Sequence, residues 1–405
     1  MSFVSKLFTT KQKQLIHKWI NVVYRIANNK RLISTKHPYI EFKNDGCDTF
    51  FGYYDISPFN NDGKIVYLEL PSSSETINII LNNIDNSDKR YLAISHAWNW
   101  QQGTRLRWLN DELISFNDYI NGDYCNRIIN IKTNEERLIF WPLYDIDSNN
   151  ELGLSLDFRR LGVMRPGYGY VCDSYNPGNI QSGGIDIIDF TNNKIIKTIS
   201  IERIADSIAY NGNYDNVYLN HLSFSPSGSR FLFFFIEVTN NYHKASLIVY
   251  DISEDSIIPL ELKGKVSHYA WKNDNEILCT TYSSRTECYY YLYSVTNQSK
   301  TRICPTSLFV DGHPSFISST QLITDTYPDK HRFMHLSAVN IDKDFKEDIL
   351  SVYLDENSVG ETRTDLHPRL NHNKDTISID VNYHGKRSLL CIKIDNYVQH
   401  CHYRI

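Results

Sequence analysis

Four histidines in the second half of the chain occupy the same position of a repeated segment. The segments begin at His221, His268, His313 and His367, and each continues through a polar turn into a run rich in β-forming residues. The spacing of about 50 residues is typical of one blade in a β-propeller. Because equivalent positions of such a repeat lie around one axis, we expect the four imidazoles to gather at one mouth of a central channel.

Three kinds of chemistry fit several imidazoles at one place. They could bind a divalent metal such as Zn, Mn or Ca. They could face an anionic or hydroxylated sugar, with histidine acting as acid or base. They could also be structural and form hydrogen bonds between neighbouring blades. We expect Asp325, Tyr327 and Asp329 to lie beside them, where they would orient the rings, bind a cation or simply form a turn.

Two stretches outside the repeat concentrate polar and aromatic side chains. The first begins at His96, and tryptophan faces and amide groups of this kind suit sugar rings and their hydroxyls. We expect substrate contacts from Trp98, Asn99, Trp100, Gln101, Gln102 and Arg105, and from Tyr54 of the preceding blade. The second stretch holds Arg165, Tyr168 and Tyr170 in a glycine-rich loop, and we expect Tyr170 to contact substrate as well. An arginine there could grip a carboxylate with two hydrogen bonds, or it could lie solvated on the surface.

The elements that must position these side chains are short β runs separated by turn signals. No long amphipathic helix follows the first 40 residues. The pattern predicts an all-β fold, a seven-bladed β-propeller with a short N-terminal amphipathic helix. The blades are expected near residues 48–90, 97–140, 141–200, 215–260, 265–303, 311–353 and 365–398, with an insertion near 158–182. Residues 1–35 would form a basic helical arm and 36–405 the propeller, with His37–Phe42 closing the last blade.

Composition narrows the class of protein. The chain has 405 residues, 13% of them aromatic, and a formal net charge of −5, which does not favour a nucleic-acid binder. The eight cysteines include no Cys-x-x-Cys pair, which indicates reduced thiols. No stretch has the character of a signal peptide, and no apolar run reaches the roughly 18 residues of a membrane span. We therefore expect a cytoplasmic protein, whose oligomeric state no sequence feature indicates.

The first 40 residues differ from the rest in charge. They contain no Asp or Glu, and their basic residues are Lys6, Lys11, Lys13, Lys18, Arg25, Lys30, Arg31 and Lys36. Apolar residues recur among them at helical spacing, at Leu15, Ile16, Trp19, Ile20, Val22, Val23 and Ile26. Such a helix could make a peripheral contact with an anionic inner-membrane surface through residues 1–35. It could equally pack its apolar side on the propeller.

Seven motifs follow one another between about residues 48 and 395. They are Gly52-Tyr-Tyr-Asp-Ile-Ser-Pro, His96-Ala-Trp-Asn-Trp-Gln-Gln-Gly, Arg165-Pro-Gly-Tyr-Gly-Tyr, Asn220-His-Leu-Ser-Phe-Ser-Pro-Ser-Gly, Asp311-Gly-His-Pro-Ser-Phe, Asp325-Thr-Tyr-Pro-Asp and Asp365-Leu-His-Pro-Arg. In this order they resemble the propeller polysaccharide lyases, most closely the ulvan-lyase type and more distantly the oligogalacturonate lyases.

The resemblance implies cleavage of an acidic, uronate-containing oligo- or polysaccharide by β-elimination. It makes Arg165 the group that neutralises the uronate, His96 the base or acid, and Tyr168 its partner, with His221, His268, His313 and His367 binding metal or substrate. One departure is that no histidine follows His96 on the next predicted strand, where Asn117 and Asp118 stand. The alternatives are a cytosolic protein of capsule or lipopolysaccharide biosynthesis that is not a lyase, and a glycan-binding propeller without catalysis.

Overall fold

The computed structural model describes residues 10–27, 30–170, 184–240, 242–262, 264–284 and 287–394. Within these residues the strands form seven antiparallel sheets in chain order, so the predicted seven-bladed propeller is confirmed. The strands of each blade are given from the innermost outward. Blade one contains Cys47–Phe50, Lys64–Pro71, Ile77–Asn83 and Arg90–Ser95, and blade two contains Arg107–Trp108, Leu113–Ile120, Asp123–Asn130 and Glu136–Ile139. Blade three contains Asp145–Ile146, Leu152–Leu156, Ile185–Asp189 and Lys194–Ile199, and blade four contains Val217–Phe224, Arg230–Thr239, Tyr242–Asp251 and Ser256–Glu261.

Blade five has four strands, Val266–Trp271, Glu276–Tyr282, Cys288–Ser294 and Lys300–Arg302. The last two blades also take strands from the N-terminal part of the chain. Blade six contains Ser315–Phe316, Gln321–Asp325, Phe333–Asn340 and Phe345–Tyr353, and Ile33–Thr35 adds a fifth strand at its outer edge. Blade seven contains Arg369–Leu370, Thr376–Val381 and Ser388–Lys393, and Tyr39–Phe42 supplies its outermost strand.

The described part of the chain contains three α-helices: α1 is Thr10–Ala27, α2 is Phe158–Met164 and α3 is Ile201–Ser207. Short 3₁₀ turns lie at Tyr214–Asn216 and Gly360–Thr362. The insertion expected near 158–182 begins with α2, while its part from residue 171 lies outside the described residues. None of the described helices combines the length and apolar character needed to cross a membrane.

The hydrophobic core lies between blades. The second strand of each blade is largely buried between the neighbouring blades. Blade four is the clearest case, because Phe231–Ile236 are all buried. One cluster joins blades six and seven through Leu336, Val352, Ile379 and Leu390. This packing fixes the innermost strands, and therefore the side chains at the channel mouth.

Candidate functional site

The repeated histidines converge at the channel mouth. The ring centroids of His268 and His313 are 4.0 Å apart, and those of His313 and His367 are 4.5 Å apart. His221 joins them through Tyr53, whose ring centroid lies 5.2 Å from that of His221 and 4.8 Å from that of His367. Blades four to seven thus contribute one imidazole each to a single buried cluster.

Backbone irregularities turn these rings toward the axis. The register between the first two strands of blade four shifts after Asn220, and His221 at that bulge has a φ of 59°. A similar shift in blade five accompanies His268, and His367 has a φ of 47°. Non-glycine residues seldom adopt this left-handed conformation, and such outliers cluster at functional sites. The bulges re-aim side chains that a regular strand would direct elsewhere.

Carboxylates hold two of the histidines through Nδ1. Asp325 accepts hydrogen bonds from the backbone N–H and Nδ1 of His313, at 2.7 and 2.8 Å. Asp311 lies 3.0 Å from Nδ1 of His268 and also accepts from three hydroxyl groups, those of Ser267, Thr280 and Tyr282. Burial alone raises the pKa of Asp311, but His268 and the hydroxyl donors lower it further than burial raises it. The carboxylate therefore stays ionised and fixes the His268 ring with Nε2 free to react.

His367 is also held through Nδ1, in this case by a backbone oxygen. Its Nδ1 donates to the backbone oxygen of Gly52 at 2.8 Å, while its buried Nε2 has no hydrogen-bond partner in the described part of the chain. Burial, with the charges of His313 and Arg369, holds the pKa of His367 well below its usual value, so the ring is neutral. A lone pair presented in this way is the form that binds a divalent metal.

Three side chains meet the geometry of a metal site. Ligand atoms of His313, Asp365 and His367 lie within 4.8 Å of one another, and all three residues are buried. This donor set of two imidazoles and a carboxylate suits Zn or Mn. The sequence prediction included His313 and His367 but missed Asp365, which stands only two residues before His367 in the chain. His221 and His268 lie outside this group.

A cavity of about 660 Å³ opens beside the histidines, a volume within the usual range for small-ligand sites. Three cationic residues line it: Arg165, Lys265 and Arg363. Arg363 pairs with Asp365 at 2.6 Å, whereas no carboxylate in the described residues pairs with Arg165 or Lys265. None of the described lining residues is acidic; among the remainder are Tyr53, Tyr168, Tyr218, His221, His243, His268, Tyr282 and Tyr327. The cavity therefore favours an anionic ligand.

A short helix and its following loop deliver Arg165 and Tyr168 to this cavity. Asp157 caps α2 by accepting from the N–H groups of Arg159 and Arg160. The loop then turns back, and the N–H of Tyr170 donates to the oxygen of Phe158 at 2.9 Å. The guanidinium of Arg165 lies 5.4 Å from the ring centroid of Tyr168, and burial raises the pKa of that phenol, which remains protonated.

The stretch after His96 does not line the cavity but forms hydrogen bonds with the segments that do. The N–H of Gln101 donates to the oxygen of Gly167, and its side-chain amide donates to the oxygen of Arg363 at 2.8 Å. Gln101 thus links the loop of Arg165 to the segment of Arg363. Asn99 holds this turn by accepting from the N–H groups of Gln101 and Gln102. Its position explains why the stretch is rich in amides without lining the cavity itself.

The other residues expected to bind substrate also contact the protein itself. Trp98 donates to the oxygen of Glu75, and Trp100 lies against Phe50. The remaining contacts are those of Gln102 with Asn220, Arg105 with Asp55, Tyr54 with the oxygen of Tyr269, and Tyr170 with Asn117. None of the six expected residues, Trp98, Trp100, Gln102, Arg105, Tyr54 and Tyr170, is among the described residues that line the cavity. Their role in substrate binding stays a prediction.

His96 lies apart from the cavity. Its side chain is 57% exposed, and its Nδ1 is 3.4 Å from Asp118, which also accepts from the backbone N–H of His96 and from Arg127. Asp118, one of the two residues that stand where a second histidine was expected, is thus its partner. Sequence reasoning missed the cavity residues His243, Lys265 and Arg363, since each stands at a different position of its blade and carries no repeat signal.

Comparison with known proteins shows the fold alone. No protein-family model and no curated protein matches the chain. An oligogalacturonate lyase solved in complex with manganese is similar over 90% of this chain and 95% of its own, with a TM-score of 0.65 and 12% identity. The oligogalacturonate lyase of Vibrio parahaemolyticus is similar over 90% and 99%, with a TM-score of 0.62 and 11% identity. The β-propeller domain of the Pyrococcus furiosus trilobed protease is similar over 92% of this chain and 100% of its own, with a TM-score of 0.51 and 9% identity. The chain therefore has the propeller architecture of oligogalacturonate lyases.

Proposed function

We propose that this protein is a lyase that cleaves a uronate-containing oligosaccharide by β-elimination. The observation that carries the proposal is the lining of the cavity, which combines cationic and imidazole side chains with no acidic residue among those described. A uronate carboxylate would find charge complementarity there, and a base would stand beside it. The propeller likeness to oligogalacturonate lyases supports the same class of substrate, and the sequence motifs make ulvan a second substrate to test.

The reaction assigns tasks to three residues of the cavity. Arg165 would pair with the uronate carboxylate and so acidify the C5 proton. His268, held through Nδ1 by Asp311, would take that proton on Nε2. The electron pair of the C5–H bond forms the C4–C5 double bond as the C4–O bond breaks, and the leaving oxygen takes a proton from the Tyr168 hydroxyl. His96 has no part in this scheme, because it lies outside the cavity.

The donor set of His313, Asp365 and His367 fits a divalent metal, and manganese is the one present in the similar lyase. Such a metal, when bound, supplies positive charge that helps to hold the uronate carboxylate. The protein's own contribution is to fix the ligands: Asp325 orients His313, Gly52 orients His367, and Arg363 orients Asp365.

The test follows the unsaturated uronate by its ultraviolet absorbance, with oligogalacturonate and ulvan fragments as substrates and a neutral oligosaccharide as blank. We expect Arg165→Ala to reduce the rate by about 100-fold or more, because a preorganised charge at the developing anion is lost. Arg302→Ala is the matched control, since Arg302 donates to the oxygen of Pro305 and lies outside the cavity lining.

Two further experiments test which histidine is the base and whether the protein is a lyase. His268→Ala should abolish the product while His96→Ala leaves most of it, because only His268 lines the cavity. The reverse result would restore His96 as the catalytic group and contradict the scheme above. Glycan that binds without any unsaturated product would identify a binding propeller, and no binding of any acidic glycan would exclude the function proposed here.

A further inference from the structure

Helix α1 presents its apolar side to solvent. Six of its large apolar side chains are between 39 and 71% exposed: Leu15, Ile16, Trp19, Ile20, Val23 and Ile26. Their spacing of three and four residues places them on one face. Six such side chains on one exposed face form a continuous patch of a kind that marks an interaction surface.

The opposite face of α1 contacts the propeller. Asn21 is 6% exposed, and the ring of Tyr24 stacks on that of His331 with centroids 3.5 Å apart and planes 2° from parallel. His331 lies in the loop between the second and third strands of blade six, and Ile33–Thr35 pairs with the outer edge of the same blade. The packing alternative, in which the apolar side faces the propeller, is thus not what the structure contains. The helix is fixed by its polar side and its apolar side is left outward.

The charge around helix α1 indicates which kind of surface its apolar face binds. Residues 1–40 contain no acidic residue, whereas all 47 Asp and Glu of the chain follow them. Lys18 lies exposed on α1, and the sequence carries further basic residues before and after the apolar positions. A second copy of the helix would bring like charges together, while an anionic lipid surface complements them.

We propose that α1 binds the surface of an anionic phospholipid bilayer, lying in the plane of the head groups. Trp19 and its apolar neighbours would enter the boundary of head groups and acyl chains, and the lysines and arginines would contact lipid phosphates. The propeller would then be held at the membrane through blade six. This inference is independent of the chemistry in the cavity.

Flotation with lipid vesicles tests the proposal on the full chain. We expect the protein to float with vesicles of phosphatidylcholine mixed with phosphatidylglycerol and to stay behind with phosphatidylcholine alone. Salt at about 1 M should release it, because charge interactions are then screened beyond about 3 Å. The triple variant Trp19→Ser, Ile20→Ser, Val23→Ser should bind at least about tenfold more weakly, since its apolar face is lost.

A matched control comes from the outermost strand of blade three, where Ile195 and Ile196 are also exposed. Ile195→Ser with Ile196→Ser should float like the unchanged protein. Failure of the unchanged protein to float with anionic vesicles, or equal flotation of the triple variant, would overturn the proposal. Light scattering tests whether a second copy of the chain covers the apolar face instead. If the unchanged protein is a dimer that does not bind lipid, and the triple variant is a monomer, the face binds a second copy. Unchanged thermal unfolding of the triple variant would show that the fold is intact.

Discussion

Three of the four histidines in the cluster, His268, His313 and His367, are held by a hydrogen bond at Nδ1. Asp311 and Asp325 fix His268 and His313, and the oxygen of Gly52 fixes His367. Because a neutral ring carries one proton, a hydrogen bond donated from Nδ1 leaves Nε2 as the free lone pair. Position then separates the rings: His268 lines the cavity and is the candidate base, whereas His313 and His367 lie with Asp365 as candidate metal ligands.

Removing one ligand should remove the metal. We expect His367→Ala to lower the manganese or zinc retained after dialysis by about 10-fold or more, since a site with two remaining ligands binds weakly. Metal is measured by elemental analysis of the purified protein. His372→Ala is the control, because His372 is exposed in a turn of blade seven. Equal metal content in both variants, or none in the unchanged protein, would contradict the assignment of this site.

For single residues, the sequence could indicate which histidines lie close together but not which chemical role each of them has. The repeat register predicts that His221, His268, His313 and His367 lie near one axis. It does not report which carboxylate reaches which Nδ1, because Asp311 reaches His268 of the neighbouring blade, while Asp325 reaches His313 from the second strand of the same blade. The exposed position of His96 also escapes a repeat argument, since it depends on where the outer strand of blade one ends.

Among the elements, the loop after α2 bears directly on the candidate site. It reverses within six residues, from Arg165 to Tyr170, and contacts α2 again at Phe158. Gly169 allows this close return: its φ is +69°, and a Cβ there would lie 2.4 Å from the nitrogen of Gly162 and 2.5 Å from the oxygen of Phe158. A side chain at this position would push the loop away from the helix.

The variant Gly169→Ala should therefore damage both stability and activity. Backbone atoms form the obstruction and cannot rotate aside, so we expect a loss of about 2–3 kcal/mol in the free energy of unfolding. Activity should fall as well, because Arg165 and Tyr168 move with the loop. Urea unfolding and the lyase assay measure the two effects. Gly46→Ala is the control, since its φ is ordinary and its nearest neighbour is 3.7 Å away; equal behaviour of the two variants would show that the loop tolerates displacement.

Strands and turns were more predictable than such insertions. The observed strands Lys64–Pro71, Arg230–Thr239 and Ser388–Lys393 lie within the blades expected at residues 48–90, 215–260 and 365–398. Their apolar runs and turn residues are local signals. Helix α2 interrupts this pattern of strands and turns. Its N-cap residue Asp157 does not by itself predict a helix from the sequence, because the helix also depends on packing against blade four through Arg160.

For the whole molecule, closure of the ring determines whether seven blades behave as one body. The strand Tyr39–Phe42 pairs with Ser388–Lys393, so chain segments far apart in sequence complete blade seven. Asp380 of that blade accepts from the N–H groups of Phe51 and Gly52 in blade one. These contacts protect an edge that would otherwise be exposed along a hydrophobic strand. Repeat length and composition were enough to predict the blade count, because each blade repeats one local pattern.

Closure can be tested within a single strand. Phe42 is 1% exposed and packs near Tyr67, with ring centroids 5.4 Å apart, whereas Tyr39 at the other end of the strand is 43% exposed. Phe42→Ala should lower the free energy of unfolding by about 3–5 kcal/mol, because it leaves a cavity between blades seven and one. Tyr39→Ala on the same strand should change it by less than about 0.5 kcal/mol. Chemical denaturation measures both. If the two variants unfold at the same denaturant concentration, this strand does not close the ring, and the propeller is held together by its blade interfaces alone.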